Sequence, residues 1–378
     1  MNTVEYQHVP TVDRLPTSAP ALPAAVAEPR LSQLAGRVGD DDGEPGRSPA
    51  ADGLRLLLAG AHSLCAMFGE SYAPALPRLR ETTERACALA RAGEHEQLTA
   101  VLGKLLPGLE AAVRTMPPPL AADAYELTAM AYQACSAALM KLGEPLAAWV
   151  AADRAMAAAE KAGNVLLAAA GQYRLASVLL DSREYALADE MARTTLLALR
   201  GLAELADPDA LSLCGGLTVL RAVIAARTGC SSAAFGHLAK ARLLASRLGT
   251  RGASAEPEFS ASYVALSEIA ISVDLGDADV ALRAAASLDP LSLSPAWHAR
   301  MLIDVARAHA LRREVGEATV AIARAVDLGC GAARDRDRAR DVVRQLVTMQ
   351  ARPVPLLAAL AGELAPNHVA QASPRRSC

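Results

Sequence analysis

The sequence predicts an all-α chain, a solenoid of helical hairpins, and three observations carry that expectation. Alanine and leucine dominate while aromatics make up only 3% of the 378 residues, which favours helix and starves a sheet of the β-branched and aromatic residues it prefers. No run alternates apolar and polar residues as a half-buried strand does. Small residues recur at fixed distances from a series of turn residues, which is the signature of a repeat.

The turn residues are Gly93, Gly143, Arg183, Gly229, Gly276 and Arg313, spaced 50, 40, 46, 47 and 37 residues apart. Seven positions before them stand Ala86, Ser136, Ala176, Ala222, Ile269 and Ala306, and five after stand Leu98, Ala148, Ala188, Ala234, Ala281 and Ala318. Twelve after them come Leu105, Ala155, Thr195, Ala241, Leu288 and Ala325, a looser match. Small side chains belong where two helices cross closely, because they let the backbones approach. The spacings exceed the 34 residues of a standard tetratricopeptide repeat, so the helices should be longer.

The segments follow in order. Residues 1 to about 50 are rich in proline, poor in large apolar side chains and acidic at Asp40 to Glu44; they cannot bury enough surface to offset ordering and read as a disordered tail. Residues 51 to 77 read as a leading amphipathic helix, about 53 to 69, and a linker punctuated by Pro74 and Pro77. Residues 78 to 365 are the hairpin repeats, and 366 to 378 a second disordered tail. Within the repeats, Asp207-Pro208 and Ser294-Pro295 place a capping residue before a proline suited to the first helical turn, and Gly163-Asn164 reads as a stop. Trp297 to Leu311 is apolar on most faces, as a helix flanked on both sides would be.

Charge limits the partners. The net charge of −3 arises in the first fifty residues, and the rest of the chain holds 34 basic and 34 acidic side chains. A balanced body has no field to condense on phosphates, so no direct binding of nucleic acid is expected. Arg334, Arg336, Arg338, Arg340 and Arg344 alternate with Asp335, Asp337 and Asp341 and read as a solvated helix face. Seven scattered cysteines without a C-x-x-C pair, and no secretory signal, suggest reduced thiols in the cytoplasm. The longest apolar stretches, such as Leu54 to Phe68, are too short for a bilayer, so no membrane association is expected.

The chemistry is equally restrained. The phosphate-cradling G-x-x-x-x-G-K-[ST], the zinc-binding H-E-x-x-H and the nucleophile elbow G-x-S-x-G do not occur. His298 and His309 share a helical neighbourhood with Asp304 but lie about 16 Å apart along a helix axis, too far for one metal. No catalytic residue, metal or cofactor is expected. The reading is a non-catalytic sensor or adaptor; the alternative is an enzyme, or an enzyme accessory, on a helical scaffold.

The stretch KLGEPLAAWVAADRAMAAAEKAGNVLLAAAGQYRLASVLL, from Lys141 to Leu180, resembles the tetratricopeptide-like C-terminal region of actinobacterial helix-turn-helix regulators of the XRE type. RMLIDVARAHALRREVGEATVAIARAV, from Arg300 to Val326, continues the likeness, as does DVVRQLVTMQ. It covers roughly residues 53 to 364. The resemblance implies a right-handed α-solenoid, cytoplasmic location and a regulatory role in transcription, the helical region acting as sensor or dimerisation module. Such regulators usually carry a DNA-binding head before the helix that resembles Leu54 to Phe68, and no head is legible here. Where the family tends to show a motif like F-G-P-T-N-V, this chain reads Phe259, Ser260, Ala261, Ser262, Tyr263 and Val264, matching only at the ends.

The resemblance also implies a concave groove lined by the first helix of each hairpin. At thirteen, ten, six and three positions before the turn residues it selects Met130, Gln133 and Met140, then Tyr173, Ser177 and Leu180, then Val219 and Val223, then Tyr263 and Leu266, and finally Arg300, Ile303 and Arg307. The implied partner is a peptide, a small molecule or a protein segment in this groove, with homodimerisation open. Arg300 and Arg307, seven apart on one face, could anchor a carboxylate while the Met and Tyr side chains adapt to an apolar part. The alternative for this pair is ordinary pairing with nearby acids such as Asp304.

Overall fold

The computed structural model describes residues 48–60, 75–249, 259–329, 333–350 and 354–365. Both expected tails lie almost wholly outside these residues, as does the second half of the expected leading helix. Contacts divide the chain between Asp42 and Gly43, and every described residue belongs to the second unit.

The described residues form sixteen α-helices and one 3-10 turn, with no strand among them. In chain order these are α1 (Pro49–Leu58), α2 (Leu76–Ala92), α3 (His95–Thr115), α4 (Pro118–Lys141), α5 (Pro145–Ala162), α6 (Val165–Asp181), α7 (Tyr185–Ala198) and α8 (Arg200–Glu204). There follow α9 (Pro208–Arg227), α10 (Ser231–Leu248), α11 (Ala261–Asp274), α12 (Ala278–Ala286), α13 (Pro295–Leu311), α14 (Val315–Asp327), α15 (Ala333–Thr348) and α16 (Pro355–Glu363).

One turn geometry joins six of the helix pairs. Gly93, Gly143, Arg183, Gly229, Gly276 and Arg313 all adopt positive φ, between 61° and 84°. At each, the amide of the turn residue donates to the carbonyl three residues back, and the next amide donates to the carbonyl five residues before it, as in Gly143 N to Met140 O and Glu144 N to Leu139 O. This doubly bonded left-handed turn satisfies the last carbonyls of one helix, and the residue after it opens the next. Arg183 and Arg313 hold this conformation with a Cβ, which costs an L-residue about 1 kcal/mol. Both are exposed. Arg183→Gly and Arg313→Gly should therefore each raise the thermal midpoint, by an amount equivalent to about 0.5–1 kcal/mol. Calorimetry of the two variants checks this.

The positions flanking the turns are tightly packed. All six residues seven before them and all six residues five after them are completely buried. Between α4 and α5 the approach is close enough for the Ser136 hydroxyl to donate to the Ala148 carbonyl at 2.9 Å. The twelfth position is looser, since Thr195 keeps some exposure and Leu288 is only partly buried.

Each hairpin packs on the next. The first helices α2, α4, α6, α9, α11, α13 and α15 touch in series, and each second helix also meets the first helix that follows it. A helix so flanked must be apolar nearly all round. In α9 the stretch from Ala210 to Leu220 is continuously buried, and α13 contributes side chains to two separate apolar clusters. Among the described residues α9 is the one helix long and apolar enough to cross a bilayer, and it is mostly buried in the core.

Cations at helix ends tie successive hairpins together. Lys141, closing α4, donates to the Ala90 carbonyl at the end of α2 at 2.9 Å. Arg227, closing α9, reaches the Leu180 carbonyl of α6 at 3.4 Å. Such donors satisfy terminal carbonyls and complement the negative end of the helix dipole. The expected start signals also act: Asp207 and Ser294 accept from the amides of Ala210 and Trp297. Gly163-Asn164 is both stop and start, with Gly163 at φ 70° and the Asn164 side chain accepting from Leu167 N.

Candidate functional site

Five arginines gather where α6, α9, α11, α13 and α15 approach one another. Arg307 is held by two acids, Asp274 at 2.6 Å and Asp304 at 2.9 Å, and Asp304 is almost fully buried. Asp274 also draws Arg227, at 3.7 Å. Arg334, near the start of α15, reaches back to Asp181 at the end of α6 at 2.8 Å, an ion pair across 153 positions of sequence. Arg300 and Arg338 differ, because neither makes a hydrogen bond or an ion pair with any described residue.

Arg300 is exposed to solvent. Burial opposes its charge most strongly, but Tyr263, Asp335, Asp304 and Tyr173 outweigh it and hold the group above its ordinary range. Arg338, four positions after Arg334 and so on the same face of α15, is pushed down to about 10 by burial, then by Arg334 and Arg300. It remains charged at neutral pH. Arg334 is lowered chiefly by burial, with Asp181 opposing.

Beside Arg300 lies a shallow recess lined by Tyr263, Leu266, Ser267, Trp297 and Arg300, with about 240 Å³ of empty space that opens to solvent. Its aromatic wall is a chain of rings: Phe259 meets Tyr263 edge-on at 6.4 Å, and Tyr263 meets Trp297 at 5.9 Å. Most of that space is open solvent, and the enclosed part has room for about one water, so the recess is a surface dimple rather than a cavity of the roughly 300–1,000 Å³ that drug-sized ligands fill.

The residues expected to line the groove divide into groups. Tyr263, Leu266 and Arg300 share the recess, and Tyr173 acts on Arg300 from α6. Arg307 is adjacent but engaged in ion pairs, the ordinary alternative for it. Leu180, Val219 and Ile303 are buried between helices, and Val223 packs at their edge. Ser177 donates to the Tyr173 carbonyl within its own helix. Gln133 is buried and donates to the Leu167 carbonyl at 2.8 Å, while Met130 and Met140 lie half-buried against the apolar core of α1 to α5. Those three do not join the recess.

Sequence reasoning missed Arg334 and Arg338. The arginine run was read as one solvated face, and for Arg336 and Arg344 it is: Arg336 is exposed, and Arg344 pairs with exposed Asp341 at 3.0 Å. Arg340 is bound to Asp337 and the Leu364 carbonyl. Arg334 and Arg338 turn inward, a difference visible only as a four-residue spacing.

The segment Phe259 to Val264 has a structural part. The Ser260 side chain accepts from Tyr263 N and starts α11, and Phe259 and Val264 are buried. His309 pairs with Glu314 at 2.7 Å and Asp304 with Arg307, so the two groups have different partners. Among the described residues no group of three or more His, Cys, Asp or Glu side chains could hold a metal. No protein-family model matches the chain, and no curated protein matches its sequence.

Proposed function

We propose that this protein is a non-catalytic regulatory binding protein, a sensor or adaptor. In this reading the six hairpins form a right-handed tetratricopeptide-like solenoid whose first helices present a groove to a peptide or partner segment. The observation that carries the reading is the recess itself. Tyr263 and Leu266 come from the first helix of one hairpin and Arg300 from that of the next, and the three line one opening, while Tyr173 of a third hairpin acts on Arg300. A surface of that kind, rigid aromatic walls beside a few polar groups, suits recognition of an extended segment. The likeness to the helical region of XRE-type regulators supports a role in transcriptional control, in the cytoplasm and without direct contact to nucleic acid.

Selection from a random peptide display library tests the groove. Ser267 lines the recess, so Ser267→Trp should fill it and weaken every enriched peptide by about tenfold or more. Leu243→Ser, on the exposed side of α10, should leave affinity unchanged. Failure to enrich any sequence, or binding indifferent to the filled recess, would remove this reading.

A further inference from the structure

We propose that the ion pair of Arg334 with Asp181 is a salt-sensitive latch. It holds α15, and the apolar core behind it, against the end of α6, and its release lets the two part. The device is independent of what the recess beside Arg300 binds.

Position in the fold is the first argument. α6 packs on α4, α5, α7 and α9, whereas α15 packs on α13, α14 and α16, and none of these neighbours is shared. Their apolar cores are separate too. α6 gives Ala176, Leu179 and Leu180 to a core it shares with α9 and α10, and α15 gives Val342, Val343 and Leu346 to a core it shares with α13, α14 and α16. No buried side chain belongs to both, and a further cluster built from α11, α12 and α13 lies between them along the chain. Among the described residues, apolar packing therefore does not tie α6 to α15. Charge does: the Arg334 Nη1 lies 2.8 Å from each oxygen of Asp181. That contact closes a circuit, because Arg227 of α9 reaches the Leu180 carbonyl of α6 and Asp274 of α11, Arg307 of α13 holds Asp274, and α13 packs on α15.

The placement of the two charges is the second argument. Asp181 is the last residue of α6, and Arg334 is the second residue of α15. An acid at a helix C-terminus and a cation at a helix N-terminus each stand where the partial charge of the helix matches their own, so neither stabilises the helix that carries it. Set against each other, they join the negative end of one helix to the positive end of another, and each then meets an opposite charge. Exposure makes the contact reversible. The Arg334 side chain keeps 39% of its accessibility and that of Asp181 keeps 17%, so dissolved ions reach the pair and weaken it. The apolar cores on either side have no such sensitivity, and the latch should open while both remain folded.

A distance measurement on the full chain tests the latch. Arg183, just past the end of α6, and Arg336, in the first turn of α15, are both exposed, so p-acetylphenylalanine at each can carry a spin label for pulsed dipolar spectroscopy. At low salt the pair should give one narrow, short distance. Asp181→Asn combined with Arg334→Gln should shift it to a longer and broader distribution, and so should sodium chloride at about 0.5 M, where the screening length falls to a few ångströms. Asp181→Glu combined with Arg334→Lys keeps both charges and should keep the short distance. Arg344→Gln, which removes an exposed pair with Asp341 inside α15, should change nothing. Circular dichroism should show the same helix content in every variant. An unchanged distance in the neutral pair, or in high salt, would overturn the proposal. Lengthening by the Glu and Lys pair equal to that in the neutral pair would make the contact one of shape rather than charge, and loss of helix in the neutral pair would make it a requirement of the fold; either result would overturn it as well.

Discussion

Phe259→Ala should cost about 3–5 kcal/mol, the range for removing a large buried aromatic, and should drop the thermal midpoint by many degrees. Phe259 stands just before α11, almost fully buried, and its ring lies flush on the backbone of α9 at Gly215. A Cβ added at Gly215 would overlap the ring. Two elements from successive hairpins thus meet through a ring on one side and a missing side chain on the other. Loss of the ring should also free Tyr263, the next member of the aromatic chain that walls the recess. Gly215→Ala tests the same contact from the other side. Alanine is favoured over glycine within a helix by about 1 kcal/mol, but displacing a packed ring costs about 1–3 kcal/mol, so net destabilisation is expected. The double variant should be more stable than the two losses added together, because the new methyl no longer meets the ring. Thermal denaturation of the three variants checks this, and strict additivity would show that the two groups do not press on each other.

Ala148→Leu is the second large effect. Ala148 is completely buried where α4 and α5 cross, and the Ser136 hydroxyl donates to its carbonyl. Three added carbons must separate the helices or force strained side chains, at about 1–3 kcal/mol, and widening the crossing would also strip Ser136 of its acceptor. Ala188→Leu, at the equivalent point on α7, should behave alike, since Ala188 is also wholly buried. Ala186→Leu, two positions away and exposed on the same helix, should be nearly neutral. Urea or thermal unfolding of the three variants distinguishes a crossing point from a general intolerance of leucine.

The turns and crossings were legible in the sequence because both are local. A left-handed turn needs a residue that tolerates positive φ and a few adjacent amides, and a close crossing needs a small side chain at a fixed distance from it. Gly143, Ser136 and Ala148 meet those needs within thirteen residues of one another. Even Arg183 and Arg313 could be placed by spacing alone, although neither residue type announces a left-handed conformation.

The arginines obey no such local rule. Arg300 and Arg307 share a helix and look equivalent in sequence, yet Arg307 is consumed by Asp274, 33 positions away on α11, and Arg300 is not. Arg334 and Arg336 sit two apart in a run of alternating charge, and only the packing of α15 beside α13 turns one toward Asp181 of α6 and leaves the other exposed. Backbone geometry and side-chain size act between near neighbours along the chain, so a single sequence records them. Which charge meets which depends on how helices distant in sequence pack together, and that is set by contacts spanning up to 153 residues.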